Sequence, residues 1–308
     1  MSVPLADEST WPALPLAAWR ETYVTLHMWM QIVGKTRLAL APVENHWWHC
    51  TLHVTARGLG TTPMPSGARL LAVDFDFIDH LLLLRTSDGA SRQLRLRPQT
   101  VATFHAQYMA ALRELGIEPR MVPRPVEVEH AVPFADDVEH ASYDAAAVRR
   151  WWRALAQADR VVKRFRSGFA GKQSPAHFFW GSFDLAVTRF SGRPAPRHAG
   201  GAPNCPDYVM VEAYSQECSS AGFWPGGGAV DEAAFYAYAY PAPDGYSAHA
   251  VRPAQARYHL QAHEFILPYE TVRTAPDPDG TLLAFLQSTY EGAADLGRWN
   301  RAALERMA

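Results

Sequence analysis

A chain of 308 residues with 48 % hydrophobic and 19 % charged residues can build a sizeable core and is not disordered. A net charge of −2 and a pI of about 6.7 give no electrostatic case for nucleic acid or an anionic membrane as a partner. Cys50, Cys205 and Cys218 show no CxxC spacing, no run of 18 apolar residues offers a transmembrane helix, and the first eight residues lack a basic region followed by an apolar core, so no disulfide framework, zinc ribbon, membrane span or signal peptide is read and a cytoplasmic setting is expected.

Ten tryptophans and 12 % aromatic residues point to a large aromatic core, an aromatic-walled pocket, or both. In chain order, a surface lead-in (9–14) precedes a helix expected over 16–36, apolar nearly all round and therefore buried. On that helix His27, Gln31 and Lys35 stand at i, i+4 and i+8, a polar stripe that either satisfies core groups or lines a cavity. Asn45-His-Trp-Trp-His-Cys-Thr-Leu-His-Val-Thr55 reads as a strand. On it His49 and His53 lie roughly 13 Å apart and His46 faces the other way, so no metal is expected. An antiparallel meander follows over 71–78, 80–85 and 93–97, with Asp74 and Asp76 on a solvated face. A helix over 100–115 closes on Gly116. The proline-rich 119–143 reads as a connector, and Asp144 caps a helix over 145–169.

The stretch from His177 to Arg193 is rich in aromatic and β-branched residues and reads as one buried strand. It carries His177, Ser182, Asp184, Thr188 and Arg189, which such a strand must pair or use. Regular alternation puts His177 and Asp184 on opposite faces; a bulge at Gly181 would bring them together. Further strands are expected over 208–220 and 235–240, joined by a glycine loop containing Trp224, with Tyr236, Tyr238 and Tyr240 on one face and small alanines on the other. A short strand or edge at 264–269 and helices over 280–297 and 299–306 complete the chain.

Helix, then a His-aromatic-aromatic strand, occurs twice at an offset of 129–131 residues, and each unit ends in a helix closing on Leu-Gly. The expectation is an α+β fold of two similar halves, each helix, antiparallel β-meander, helix, packed as one compact module: 1–118, a connector over 119–143, and 144–308.

Several stretches carry a resemblance. They are Leu26-His-Met-Trp, Gln31-Ile-Val-Gly-Lys, Asn45-His-Trp-Trp-His, Phe75-Asp-Phe-Ile-Asp-His80, the whole of His177–Arg193, Glu212-Ala-Tyr-Ser, Ser220-Ala-Gly-Phe-Trp-Pro-Gly and Phe235-Tyr-Ala-Tyr-Ala-Tyr-Pro241. With them the chain resembles an uncharacterised bacterial family, the domain of unknown function 5996. The resemblance implies a single module of this length and no activity. At Gln216 the family pattern leads one to expect histidine.

The chain has no Gly-x-Ser-x-Gly elbow, P-loop or dinucleotide fingerprint. His177, Asp184 and Glu212 are the candidate acid–base groups, because burial shifts such side chains toward working pKa values. His27, Gln31, Lys35, Asn45, His46, Arg189, Trp224 and Tyr238 are the candidate ligand-binding residues, in a pocket between the halves. Lys35 and Arg189 together would favour an anionic ligand. Two readings survive: a cofactor-independent enzyme acting on a small polar substrate, or a non-catalytic small-molecule binder or sensor. Oligomeric state is not legible.

Overall fold

The computed structural model describes residues 9–306; the N-terminal stretch 1–8, in which no signal peptide is read, lies outside them. In chain order the described elements are α1 (Arg20–Leu40), β1 (His53–Val54), β2 (Gly58–Gly60), β3 (Met64–Ser66), β4 (Arg69–Asp76), β5 (Leu81–Thr86), β6 (Ser91–Arg95) and α2 (Val101–Glu114), then α3 (Ala145–Ser167), β7 (His177–Phe179) and β8 (Asp184–Pro194). After these come α4 (Asp207–Ala213), β9 (Gln216–Trp224), β10 (Ala234–Tyr240), β11 (Arg257–His259), β12 (Glu264–Pro268), α5 (Tyr269–Arg273), α6 (Pro278–Leu296) and α7 (Arg301–Leu304). The class is α+β, with two antiparallel sheets.

The first sheet runs β1-β2-β4-β5-β6, with β3 on β4; the second runs β7-β8-β9-β10-β12-β11. Both follow chain order through their first members and part at the far edge, where β12 and not β11 pairs with β10. The Leu-Gly helix ends also differ: Gly116 is left-handed at φ 69°, whereas Gly297 is at −74° and Arg298 takes the left-handed place at 53°. The sheets meet where the Leu52 and Phe178 amides each donate to the other's carbonyl, both at 2.9 Å.

Helix α1 is buried on almost every side, as its apolar circumference requires. Trp29 stacks on Phe104 of α2 at 4.7 Å, Trp19 on Trp151 of α3 at 6.1 Å, and Tyr23 meets Phe183 edge-on at 4.9 Å. Gly34 is required by one close approach. A Cβ there would lie 2.3 Å from the Trp180 ring, whose Nε1 donates to the Cys50 carbonyl at 2.6 Å. Asp144 caps α3 by accepting from the Ala146 and Ala147 amides.

Three expected strands are corrected. Asn45–Cys50 is a tight 3-10 segment broken by left-handed His46 and Trp47, and only His53–Val54 is strand. The His177–Arg193 stretch is a hairpin turning through 180–183, with Phe183 at φ 60°. All of 208–213 is helix α4, and the strand begins at Gln216. Asp76, expected to be solvated, is buried; it accepts from Arg57 and from the Ile78 and Asp79 amides.

Candidate functional site

Strand alternation gives the second sheet two chemically different faces. One face carries Leu185, Val187, Ala221, Phe223, Phe235 and Ala237 in the apolar core. Arg189 belongs to this side. Its guanidinium lies 3.5 Å from the Phe165 ring of α3 and 4.3 Å from the Tyr290 ring of α6, and it donates to the Phe165 carbonyl. The other face carries Asp184, Thr188, Ser220, Tyr236 and Tyr238, and it lines a cavity of about 600 Å3, inside the usual range for ligand sites of about 300–1,000 Å3.

Irregular chain covers that face. Helix α1 contributes Lys35, the 3-10 segment His46, Trp47 and Trp48, the hairpin turn Trp180 and Ser182, and the connector Arg120, Arg124 and Glu127. Two polar side chains of α1 tie the cover down. Gln31 donates to the Val126 carbonyl at 2.8 Å and accepts from the Val126 amide at 2.9 Å. The His27 ring bonds the Gly181 carbonyl at 2.9 Å, and burial pushes its pKa down to about 4, so it is a neutral donor.

Asp184 belongs to the sheet floor of the cavity. Ser182 Oγ donates to its Oδ1 at 2.5 Å, and the Tyr236 hydroxyl donates to Oδ2. Tyr236 crosses β9 at Gly222 to make that bond; a Cβ at Gly222 would lie 2.5 Å from its hydroxyl and 2.0 Å from the Leu185 carbonyl. Desolvation raises the Asp184 pKa against the pull of these two donors. Glu127 lies over Gly181, where a Cβ would come within 2.2 Å of its Oε1. Its carboxyl is pushed up to about 7, first by burial and then by the charge of Asp184. Lys35 is 4 % exposed, its Nζ 5.7 Å from the centre of the Trp180 ring, and burial lowers its pKa. No carboxylate pairs with it among the described residues.

A second polar group lies at the rim. His46 donates through Nδ1 to the Ala213 carbonyl at 2.9 Å, which leaves Nε2 to accept from Lys172 Nζ at 2.6 Å; Lys172 also donates to Gln216 Oε1 at 3.1 Å. Burial lowers the pKa of both His46 and Lys172. All three cysteines line the cavity, and burial pushes Cys50 and Cys218 up to about 12 and Cys205 to about 11, so none is a thiolate nucleophile. No group of three or more His, Cys, Asp or Glu side chains is placed to hold a metal among the described residues.

Of the eleven residues singled out in the sequence, Lys35, His46, Asp184 and Tyr238 converge on the cavity. His27 and Gln31 hold its walls. His177 shares the sheet face with Ala186 and Phe179, but its ring packs among Trp48, His53 and Phe179 and does not line the cavity. Burial, chiefly, drives its pKa to about 3. Asn45 is exposed, Glu212 is half-buried on α4, Trp224 packs in a small cluster with Val230 and Ile266, and Arg189 faces the helices. Asp184 therefore pairs with hydroxyls and not with Arg189. Sequence reasoning missed Glu127, and it noted Ser182 and Tyr236 without assigning them to the site. Tyr236 was within reach, since it shares the face of Tyr238; nothing local singles out Glu127.

Backbone conformation marks the same place. Of eight non-glycine residues with positive φ among the described residues, His46, Trp47, Glu127 and Asn204 line the cavity, and Phe183 lies between the lining residues Ser182 and Asp184. Each such conformation costs about 1–3 kcal/mol, and they concentrate at functional sites.

Fold and cavity together define an α+β protein with a cavity of about 600 Å3 enclosed over one face of its second sheet. The sequence model of the family of unknown function DUF5996 matches residues 11–306, and the chain belongs to that family. No curated protein and no solved structure matches the chain. No described helix is long and apolar enough to cross a membrane.

Proposed function

We propose that the protein is a cofactor-independent acid–base enzyme acting on a small polar molecule in this cavity, with Asp184 and Glu127 as its proton-transfer groups. The observation that carries the reading is the convergence, in one aromatic-walled space, of two desolvated carboxyls, several hydroxyls and a buried lysine with no carboxylate partner among the described residues. A carboxyl titrating near 7 is matched to proton transfer at neutral pH. The pocket draws Lys35 to Cys50 from one side of the connector and Phe179 to Tyr238 from the other, which supports a site at the junction of two similar halves. Three free cysteines fit a cytoplasmic setting.

The rival reading is a non-catalytic binder or sensor. It is favoured by Asp184 already accepting from two hydroxyls, as a fixed recognition group would. A polar-metabolite set screened by thermal shift against the wild type, D184N and E127Q tests both. The enzyme reading expects a compound that stabilises all three folded proteins and is turned over by the wild type alone. Binding without turnover supports the binder. A wild type that no compound stabilises refutes both.

A further inference from the structure

Of the 29 lysines and arginines in the chain only three are lysines: Lys35, Lys163 and Lys172. Most of the ion pairs use arginine, as in Arg57–Asp76, Arg160–Asp279 and Arg301–Glu305. Lys163 is an exposed helix lysine paired with Asp159 at 2.6 Å. Lys172 is spent on His46 and Gln216. Lys35 alone of the three is buried, and it has neither a carboxylate nor a hydrogen-bond partner among the described residues. An ammonium taken out of water without a counter-charge is strongly disfavoured, whereas a neutral amine is tolerated there. Arginine cannot lose its proton in a protein; lysine can, and desolvated lysines are the amines that attack carbonyls.

We propose that Lys35 is an amine nucleophile that forms an imine with a small 2-oxo acid held in the cavity. The inference rests on the acid–base reading of Asp184 and Glu127 and adds the bond that is made. The lone pair of Lys35 Nζ adds to the carbonyl carbon, and the carbonyl oxygen takes a proton from a protonated cavity carboxyl. The nitrogen of the resulting carbinolamine returns a proton to that carboxylate. The hydroxyl then takes a proton from a carboxyl and leaves as water while the nitrogen lone pair closes the C=N bond. One amine, one carbonyl and one proton give one iminium and one water; nothing is oxidised or reduced. Burial keeps both Glu127 and Asp184 toward the protonated form that the oxygen needs. Arg120 and Arg124 line the mouth, neither paired with a carboxylate among the described residues, and suit the carboxylate of an oxo acid. Trp180 supplies apolar wall beside the Lys35 amine, and Trp47 and Phe190 supply more of the cavity's apolar lining.

The test is reductive trapping on the full chain, with tryptic mass mapping of the lysines and the N-terminus. Pyruvate with cyanoborohydride is the probe, and formaldehyde with cyanoborohydride reports whether Nζ can be reached at all. The expected result is one reduced pyruvyl group on Lys35, with none on Lys163 or Lys172, and no adduct in K35R or in the isosteric K35M, each checked for folding by circular dichroism. D184N and E127Q should slow trapping on the order of 100-fold, the ordinary contribution of general acid–base catalysis. Pyruvate adducts on other amines with Lys35 unmodified would overturn the proposal. Formaldehyde labelling of Lys35 without a pyruvate adduct would overturn the oxo-acid assignment. Trapping at Lys35 that D184N and E127Q leave at the wild-type rate would keep the imine and sink the acid–base reading.

Discussion

Glu127 makes the strongest physical commitment in the cavity, because burial and Asp184 lift its carboxyl from 4.5 to about 7. A raised folded-state pKa means that the fold holds the proton more tightly than the unfolded chain does. The associated stability is fully present below the unfolded pKa and is lost as pH rises through the folded one. The difference corresponds to about 3 kcal/mol at most, at roughly 1.4 kcal/mol per tenfold change in proton affinity. Glu127→Gln keeps the shape and cannot ionise. Its stability relative to wild type should therefore rise by up to about 3 kcal/mol between about pH 5 and about pH 8, measured by urea unfolding. Glu264 is also lifted to about 7, while burial lowers His27 and His53 to about 4 and His177 to about 3, so they lose stability in the opposite sense as pH falls. All are present in both proteins and largely cancel in the difference. In an Asp184→Asn background the effect should shrink, since the charge that adds to the lift is gone. Wild-type and Glu127→Gln stabilities that run parallel across this window would refute the argument.

Gly222→Ala should destabilise the fold by about 1–3 kcal/mol through overpacking, because its methyl would meet the Leu185 carbonyl and the Tyr236 hydroxyl. The same variant should impair any activity that depends on the Tyr236–Asp184 bond, and an unchanged midpoint on thermal unfolding would count against the packing as described. His177→Phe should leave ligand binding intact and change stability by no more than about 1 kcal/mol, since the buried Nδ1 has no hydrogen-bond partner to lose among the described residues; loss of binding, read by thermal shift, would return His177 to the site.

What could be read from the sequence was what hydrophobic period and capping dictate. The buried helix α1, the Asp144 cap, the first-half meander and the Tyr/Ala alternation of β10 all followed from local rules. Two of the misreadings share one cause. Asn45–Cys50 has strand-like composition, yet His46 and Trp47 are left-handed, and His46 is bound to the Ala213 carbonyl while Trp47 packs on Tyr208 at 5.7 Å. Tyr208-Val-Met-Val also reads as strand, yet it forms a helix that docks on that same segment. In both places a partner distant in sequence outweighed intrinsic preference, which for strands is mostly a statement about packing. Once Trp180–Phe183 is a turn, the parity argument separating His177 from Asp184 has no footing: Phe179 faces Asp184 across the hairpin, and His177 faces Ala186.

That turn also explains why the polar face of the second sheet is not simply a wet surface. An antiparallel sheet with one apolar face ordinarily leaves the other to solvent. Here the hairpin turn is drawn over the polar face by Trp180, whose ring fits only against Gly34 and whose indole bonds the Cys50 carbonyl. The connector follows because Gln31 of the same helix holds Val126 by both backbone groups. Helix α1 therefore fixes the lid through His27 and Gln31 and sends Lys35, one turn further along the same stripe, into the space that remains. A single i, i+4, i+8 pattern supplies two anchors and one free amine. The first two could have been structural in any buried helix; the third lies over the Trp180 ring but has no carboxylate or hydrogen-bond partner among the described residues to account for it.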